Sequence, residues 1–375
     1  MGLVRMNGRA HEYYRRMVTP TLHPHRVNAL GDNMAQIAAT IVDSWPVGKP
    51  IDLRASAYDL ARSFAVGLLF SNDRLRGMPI AKLIDAFAAS NWSLKVPLTR
   101  WCGPISPHGR MMKTAEQLER SILAWADSKR GHLDPNDLLS LIVNNPDEYG
   151  QPVSSDKIAG HTPTLFGAAY ETCQNVLIWT LILLDQHPEV ASDLHGELKG
   201  ALGPNATPTL VQVVELPLLD AVVKESMRIL PAVPQQFRVA LSDTTLAGSA
   251  VKSQSRVLLS AFLTNRNPDL YPEPDRFKPE RWATIEPSPY EYGSFSAGPR
   301  RCPGSSFGLS AVKMALATIL TRYRPAIIPG SRIDYRVAIT LSPRGAVPAV
   351  LHRPGRAFVA APLNGSIRNL AQLPH

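Results

Sequence analysis

The chain has 375 residues, 45% of them hydrophobic, enough to bury a large core as one big domain or two ordinary ones and too many for a disordered protein. A net charge of +9, from 40 basic against 31 acidic residues, suits an acidic protein, an anionic membrane or nucleic acid as partner. With no zinc finger, RNP-like aromatic motif or heptad-linked basic region, nucleic acid is set aside. Cys102, Cys173 and Cys302 are odd in number and widely spaced, which excludes a disulfide framework and a paired zinc site and fits a reducing cytoplasm.

No apolar run reaches the ~20 residues that span a bilayer, and the opening residues lack the apolar core of a signal peptide, so no membrane association is expected. Apolar residues at helical spacing predict helices over 9–18, 27–42, 57–70, 79–94 and 111–129, then a short one over 137–143. Ser154 or Ser155 caps a long helical segment ending near Gln186, and Thr162-Pro163 predicts a break or bend inside it. Helices over 188–202 and 217–230 follow, each opening on a proline.

From 233 to 263 the composition turns β-rich, and 265–292 is proline-rich, charged and irregular, long enough to be functional. A helix over 304–323 and strands of a small sheet to about 350 complete the pattern. The fold class is therefore mainly α with small β-sheets. One domain over 1–353 and a loosely held C-terminal extension over 354–375 are expected.

The strongest chemical signal is Phe295-Ser296-Ala297-Gly298-Pro299-Arg300-Arg301-Cys302-Pro303-Gly304, directly before a helix. A thiolate needs positive potential, which a helix N-terminus and a bound metal both supply, and Gly298 and Gly304 let backbone approach a flat group. A lone cysteine is more often an inert core residue. Here Phe295, Gly298, Arg300, Cys302 and Gly304 coincide with every fixed position of the haem-binding signature of the cytochrome P450 family, which the segment resembles.

Further segments resemble that family in the same order. Glu225-Ser226-Met227-Arg228 matches its E-x-x-R pair, with both side chains on one helix face, and Arg281 in Phe277-Lys278-Pro279-Glu280-Arg281-Trp282 would complete a Glu225-Arg228-Arg281 network. Taken alone, such a pair is an ordinary surface ion pair. Ala168-Ala169-Tyr170-Glu171-Thr172 resembles the oxygen-activation motif, in which small residues open a helix groove, Thr172 positions a water and Glu171 passes protons inward. The plain alternative is a threonine bonded back to its own helix and a glutamate facing solvent. His11 and Arg15, at i and i+4, together with Arg238 and Arg300, match positions that hold haem propionates.

The resemblance implies a cytochrome P450-like fold without the helices and small sheet that precede Gly8 in the family, carrying haem b (iron protoporphyrin IX) with Cys302 as iron ligand. It implies a monooxygenase that inserts one oxygen atom of O2 into a small apolar organic substrate. The expected partners are a ferredoxin or flavodoxin-type donor and its NAD(P)H-dependent reductase, drawn to a basic surface of Arg9, Arg16, Arg300 and Arg301. A cytoplasmic monomer is expected. A haem-thiolate isomerase or peroxygenase, a non-catalytic haem-binding module and a haem-free scaffold stay open as alternatives. The pocket is expected to draw on 86–94, 165–169 and 233–237. Pro303, lacking an N–H, is expected to leave the sulfur more electron-rich.

Overall fold

A computed structural model describes residues 2–70, 73–91, 103, 106–203, 206–355 and 357–373. It is mainly helical with small sheets. Cys102 and the end of the helix expected over 79–94 lie outside the described residues.

Helices α1 (Gly8–Val18), α2 (Pro24–Ala29) and α3 (Gly31–Asp43) open the chain. The single helix expected over 27–42 is split at Leu30. Gly31 lies against Leu210, where a side-chain carbon would come within 2.8 Å of the leucine Cβ, so packing rather than helix propensity sets this joint. Strand β1 (Pro50–Asp52) leads into α4 (Leu53–Leu69), whose first turn is capped by the Asp52 carboxylate accepting from the Arg54 N–H. α5 (Arg74–Asn91), α6 (Pro107–Lys129) and α7 (Leu138–Asn144) follow, with Ser106 and Asp137 capping the last two.

α8 (Ser155–Gln186) is 32 residues long, about 48 Å at the rise of an α-helix. α4 packs along it and the late helix α13 (Ser305–Arg322) crosses it. It runs unbroken through Pro163, so the break expected at Thr162 is absent. The proline leaves the Ala159 carbonyl without its helical N–H. On either side the Thr162 and Thr164 hydroxyls donate to the Ile158 and Gly160 carbonyls, at 2.9 and 2.8 Å, and burial of Ile158, His161, Thr162, Leu165 and Phe166 holds the turn together.

α9 (Pro188–Leu202), α10 (Leu210–Val214) and α11 (Pro217–Ile229) complete the helical layer. The β-rich region folds as β2 (Gln235–Val239) paired antiparallel with β5 (Arg256–Ser260), and β3 (Thr244–Leu246) with β4 (Ser249–Val251), before the short helix α12 (Ala261–Thr264). Residues 265–292 are irregular apart from a 3-10 turn over Pro279–Ala283. After α13, β6 (Arg324–Ile327) and β9 (Pro348–His352) join β1 in one antiparallel sheet of order β1-β9-β6, while β7 (Tyr335–Val337) and β8 (Leu341–Pro343) form a hairpin.

The segment after Arg353 is not loosely held. Leu363, Ile367, Leu370, Ala371 and Leu373 are buried in the common core. The Ile333 N–H donates to the Asn364 carbonyl at 2.8 Å, and the Gln372 N–H donates to the Asp275 carbonyl at 2.9 Å. Proline, glycine and asparagine in that stretch mark turns that bring its leucines back onto the body. Among the described residues no helix is long and apolar enough to cross a membrane.

Candidate functional site

The cysteine loop folds back on itself before α13. The Cys302 N–H donates to the Phe295 carbonyl at 2.8 Å and the Arg301 N–H to the Gly298 carbonyl at 3.0 Å. Gly298 has φ of +61°, a left-handed backbone that explains glycine there. Gly304 does not need that freedom: it caps α13 at φ of −91°, and an added Cβ would make only an ordinary 3.9 Å contact with the Cys302 sulfur. The backbone N–H of Gly304 acts on that sulfur so as to lower its pKa. Sγ is exposed on one side to a cavity. Burial on the others is the main cause that raises its thiol above the usual value, opposed by the Gly304 N–H, Arg15 and Arg301.

The cavity holds about 130 Å³ and lies between α8, the end of α11, the cysteine loop and α13. Thr172, Val233, Phe295, Arg300, Cys302 and Leu309 are on its wall. Val233 and Gln236 from the stretch expected at 233–237 take part, whereas Leu165 and Phe166 are buried in the core instead.

Beside the cavity lies a concentration of positive charge. Arg300 Nη2 donates to the Met6 carbonyl and to Asn7 Oδ1, both at 2.7 Å, which ties the cysteine loop to the start of α1. Burial, then Arg238 and Arg15, lower the Arg300 pKa. Burial, then Arg300 and Arg15, likewise lower that of the buried His11. Arg238 itself donates to the Phe237 carbonyl and Gln236 Oε1. Among the described residues Arg15, Arg238 and Arg300 form no ion pair with a carboxylate. Arg238 and Arg15 are thus close enough to Arg300 to act on its charge, and Arg300 itself is on the cavity wall.

On α8, Ala168 is exposed and Ala169, Glu171 and Thr172 are half-buried. The Thr172 hydroxyl donates to the Ala168 carbonyl at 2.9 Å, within a helix that is continuous from Ser155 to Gln186. Glu171 is held from outside the helix: the Thr340 hydroxyl donates to its Oε1 at 2.6 Å. Cys173, next along, is buried against Gly308 with its thiol pushed up to about 12 by burial.

Under the cysteine loop, Glu225 on α11 is fully buried and receives five donors. Arg228 grips both carboxylate oxygens at 2.9 Å, Arg281 Nε reaches Oε1 at 3.0 Å, the Trp282 indole reaches Oε2 at 3.0 Å, and the Lys278 N–H reaches Oε1 at 2.9 Å. Arg228 and Arg281 spend their remaining protons on carbonyls of Asn265, Pro272, Pro274 and Arg276. A buried charge cluster tolerates burial only when satisfied this fully, and here it pins the irregular 265–292 segment to the helix.

Several partners were missed by motif reading. Trp282 was visible beside Arg281. Buried Asn265, which bridges the Arg228 carbonyl, Ser294 and Gly293, carried no motif signal. Nor did Thr340 or Asp85, which accepts from Tyr170 at 2.7 Å and from Tyr58.

The sequence model described as "Cytochrome P450" matches residues 1–342. The chain is 28% identical over 339 residues to cyclooctat-9-en-7-ol 5-monooxygenase of Streptomyces melanosporofaciens, covering 87% of this chain and 73% of that protein. It is 36% identical over 187 residues to the human mitochondrial 25-hydroxyvitamin D-1 alpha hydroxylase, covering 49% of this chain and 37% of that protein. Among solved structures, a retinoic acid-bound cyanobacterial CYP120A1 superposes with a TM-score of 0.81 at 21% identity over 94% of this chain and 81% of that one. The cytochrome P450DA heme domain gives 0.75 at 21% identity over 90% and 76%. With a mainly helical body, a cysteine loop facing a cavity and a family match across nearly the whole sequence, the chain belongs to the cytochrome P450 family and is a monooxygenase of it.

Proposed function

We propose that this monooxygenase binds haem b through the Cys302 thiolate and inserts one oxygen atom of O2 into a small apolar organic substrate, the other leaving as water. One observation carries the reading: among the described residues the accessible cysteine sulfur, that of Cys302, faces a cavity with Arg300 on its wall, and Arg15 and Arg238, close enough to act on the Arg300 charge, form no ion pair with a carboxylate. That donor set fits a flat, dianionic macrocycle with one sulfur ligand. His11 and the three arginines hold its propionates, and Phe295, Gly298 and Gly304 shape the loop against it. The bound haem supplies the electron storage and oxygen chemistry that no side chain has.

The protein's own part is positioning and proton supply. Thr172 presents a hydroxyl at the cavity wall and Glu171 stands one residue behind it. In this reading Thr172 gives up the Ala168 carbonyl to hold a water between the small side chains Ala168 and Ala169, and Glu171 hands protons toward it. Glu225, Arg228 and Arg281 keep the cysteine loop in register as one haem domain over 1–353, onto which 354–375 folds as an extension.

Electrons come singly from a ferredoxin or flavodoxin-type protein and its NAD(P)H-dependent reductase. An open basic hollow on the outside of α1, lined by Arg15, Arg16, His23, His25 and Arg26, supports an acidic partner there. The unpaired Cys173 and Cys302 favour a reducing cytoplasm, and the reading is of a monomer.

The test is the carbon monoxide spectrum of the reduced protein after hemin reconstitution. The unmodified chain gives the red-shifted band of thiolate ligation, and Cys302→His gives a nitrogen-ligated spectrum. A thiolate band that survives loss of Cys302, or no haem uptake at all, overturns the reading.

A further inference from the structure

We propose that Thr340 is a positioning residue for proton delivery, holding the Glu171 carboxyl in one orientation while its other oxygen exchanges protons. This rests on the reading of Glu171 given above. Among the described residues Glu171 forms no ion pair, and its one hydrogen-bonded side-chain partner is the Thr340 hydroxyl. The 2.6 Å separation lies in the range of a hydroxyl donating to an ionised carboxylate.

Thr340 is itself held firmly. It is 5% exposed, in the turn between β7 and β8. The next residue, Leu341, is pinned from two directions: its N–H donates to the Ala232 carbonyl at 2.9 Å, and its carbonyl accepts the Trp179 indole N–H at 3.0 Å. Trp179 is fully buried two turns beyond Glu171 on the same helix. The hairpin turn is therefore fixed to α8, and through Ala232 to a wall of the cavity.

The chemistry follows from which oxygen is engaged. Oε1 accepts the Thr340 proton whether the carboxyl is ionised or carries a proton on Oε2, since a carbonyl oxygen and a carboxylate oxygen are both acceptors. A proton can leave Oε2 toward the water at Thr172 and be replaced from solvent without the carboxyl plane turning. A cationic partner would instead favour the ionised form and resist reprotonation.

The test uses the full haem-loaded chain with a plant-type ferredoxin, its reductase and NADPH, without added substrate. Rates of NADPH consumption, hydrogen peroxide released per NADPH, and the solvent deuterium isotope effect are compared for the unmodified protein, Thr340→Val, Thr340→Ser and Glu171→Gln. Positioned proton transfer is typically worth about 10²–10⁴-fold. Thr340→Val is expected to slow consumption about tenfold, less than Glu171→Gln, and to raise the peroxide fraction and the isotope effect. Thr340→Ser is expected to restore all three.

If Glu171→Gln moves these quantities and Thr340→Val does not, the positioning role is wrong while the proton role of Glu171 stands. If neither moves them, the reading of Glu171 fails and takes this proposal with it. A Thr340→Val protein that only melts earlier, with peroxide fraction and isotope effect unchanged, also overturns it, as does a serine variant that behaves like valine.

Discussion

The Gly304 backbone N–H lowers the pKa of the Cys302 thiol, and the residue between them is a proline with no N–H to give. Each donor to a ligating sulfur withdraws charge from it and makes the metal easier to reduce. Pro303→Leu adds a possible donor. The reduction potential of the haem-loaded variant is expected to rise by about one hydrogen bond, ~1 kcal/mol or on the order of 40 mV for a one-electron couple. Spectroelectrochemical titration of both proteins measures it, and equal potentials refute the argument. The cysteine loop was legible because its chemistry is confined to ten consecutive residues. Thr340 was not, because it meets Glu171 across 169 positions with no pattern to announce the pairing. Thr172 shows the reverse: the motif was plain, yet its hydroxyl lies on its own helix.

The contact of α1 with α8 places His161 where both ring nitrogens lack hydrogen-bond partners, its ring 4.3 Å from that of Tyr14. Burial, first among the causes, lowers its pKa from 6.5 to about 4; Lys157 lowers it further and Glu148 opposes. A histidine lowered in the folded state contributes fully above the unfolded value near 6.5 and loses that contribution as pH falls toward 4. At pH 5 the loss is about 2 kcal/mol. Urea midpoints at pH 7 and pH 5 are expected to fall further for the unmodified protein than for His161→Phe, and parallel falls would count against this. Among the elements, long amphipathic helices such as α4 and α6 were legible from periodicity alone. The division at Leu30 and the continuity through Pro163 were not, since a glycine packed on Leu210 and two threonine hydroxyls decide them.

At the scale of the molecule, the segment beyond Arg353 belongs to the core. Leu363, Ile367, Leu370 and Leu373 are buried, and burial of each such side chain is worth about 1.5–3 kcal/mol. A chain ending at Arg353 is expected to lose about 5 kcal/mol or more, with a lower midpoint in thermal unfolding. An unchanged midpoint would show the segment to be dispensable. Composition suggested a loose tail because its turn residues outnumber its leucines, and burial against distant residues leaves no local trace. The sheet β1-β9-β6 has a related property. Its central strand is the last made, with Val350 opposite Pro50 on one side and Ala326 on the other. Closing a loop of that span is slow, since contacts distant in sequence form late. While the ribosome is still adding residues 53 to 347, β1 lacks the strand it pairs with among the described residues. The nascent chain stays unsealed at that edge until residues 348–352 have been made, and chaperone protection is needed most during that interval.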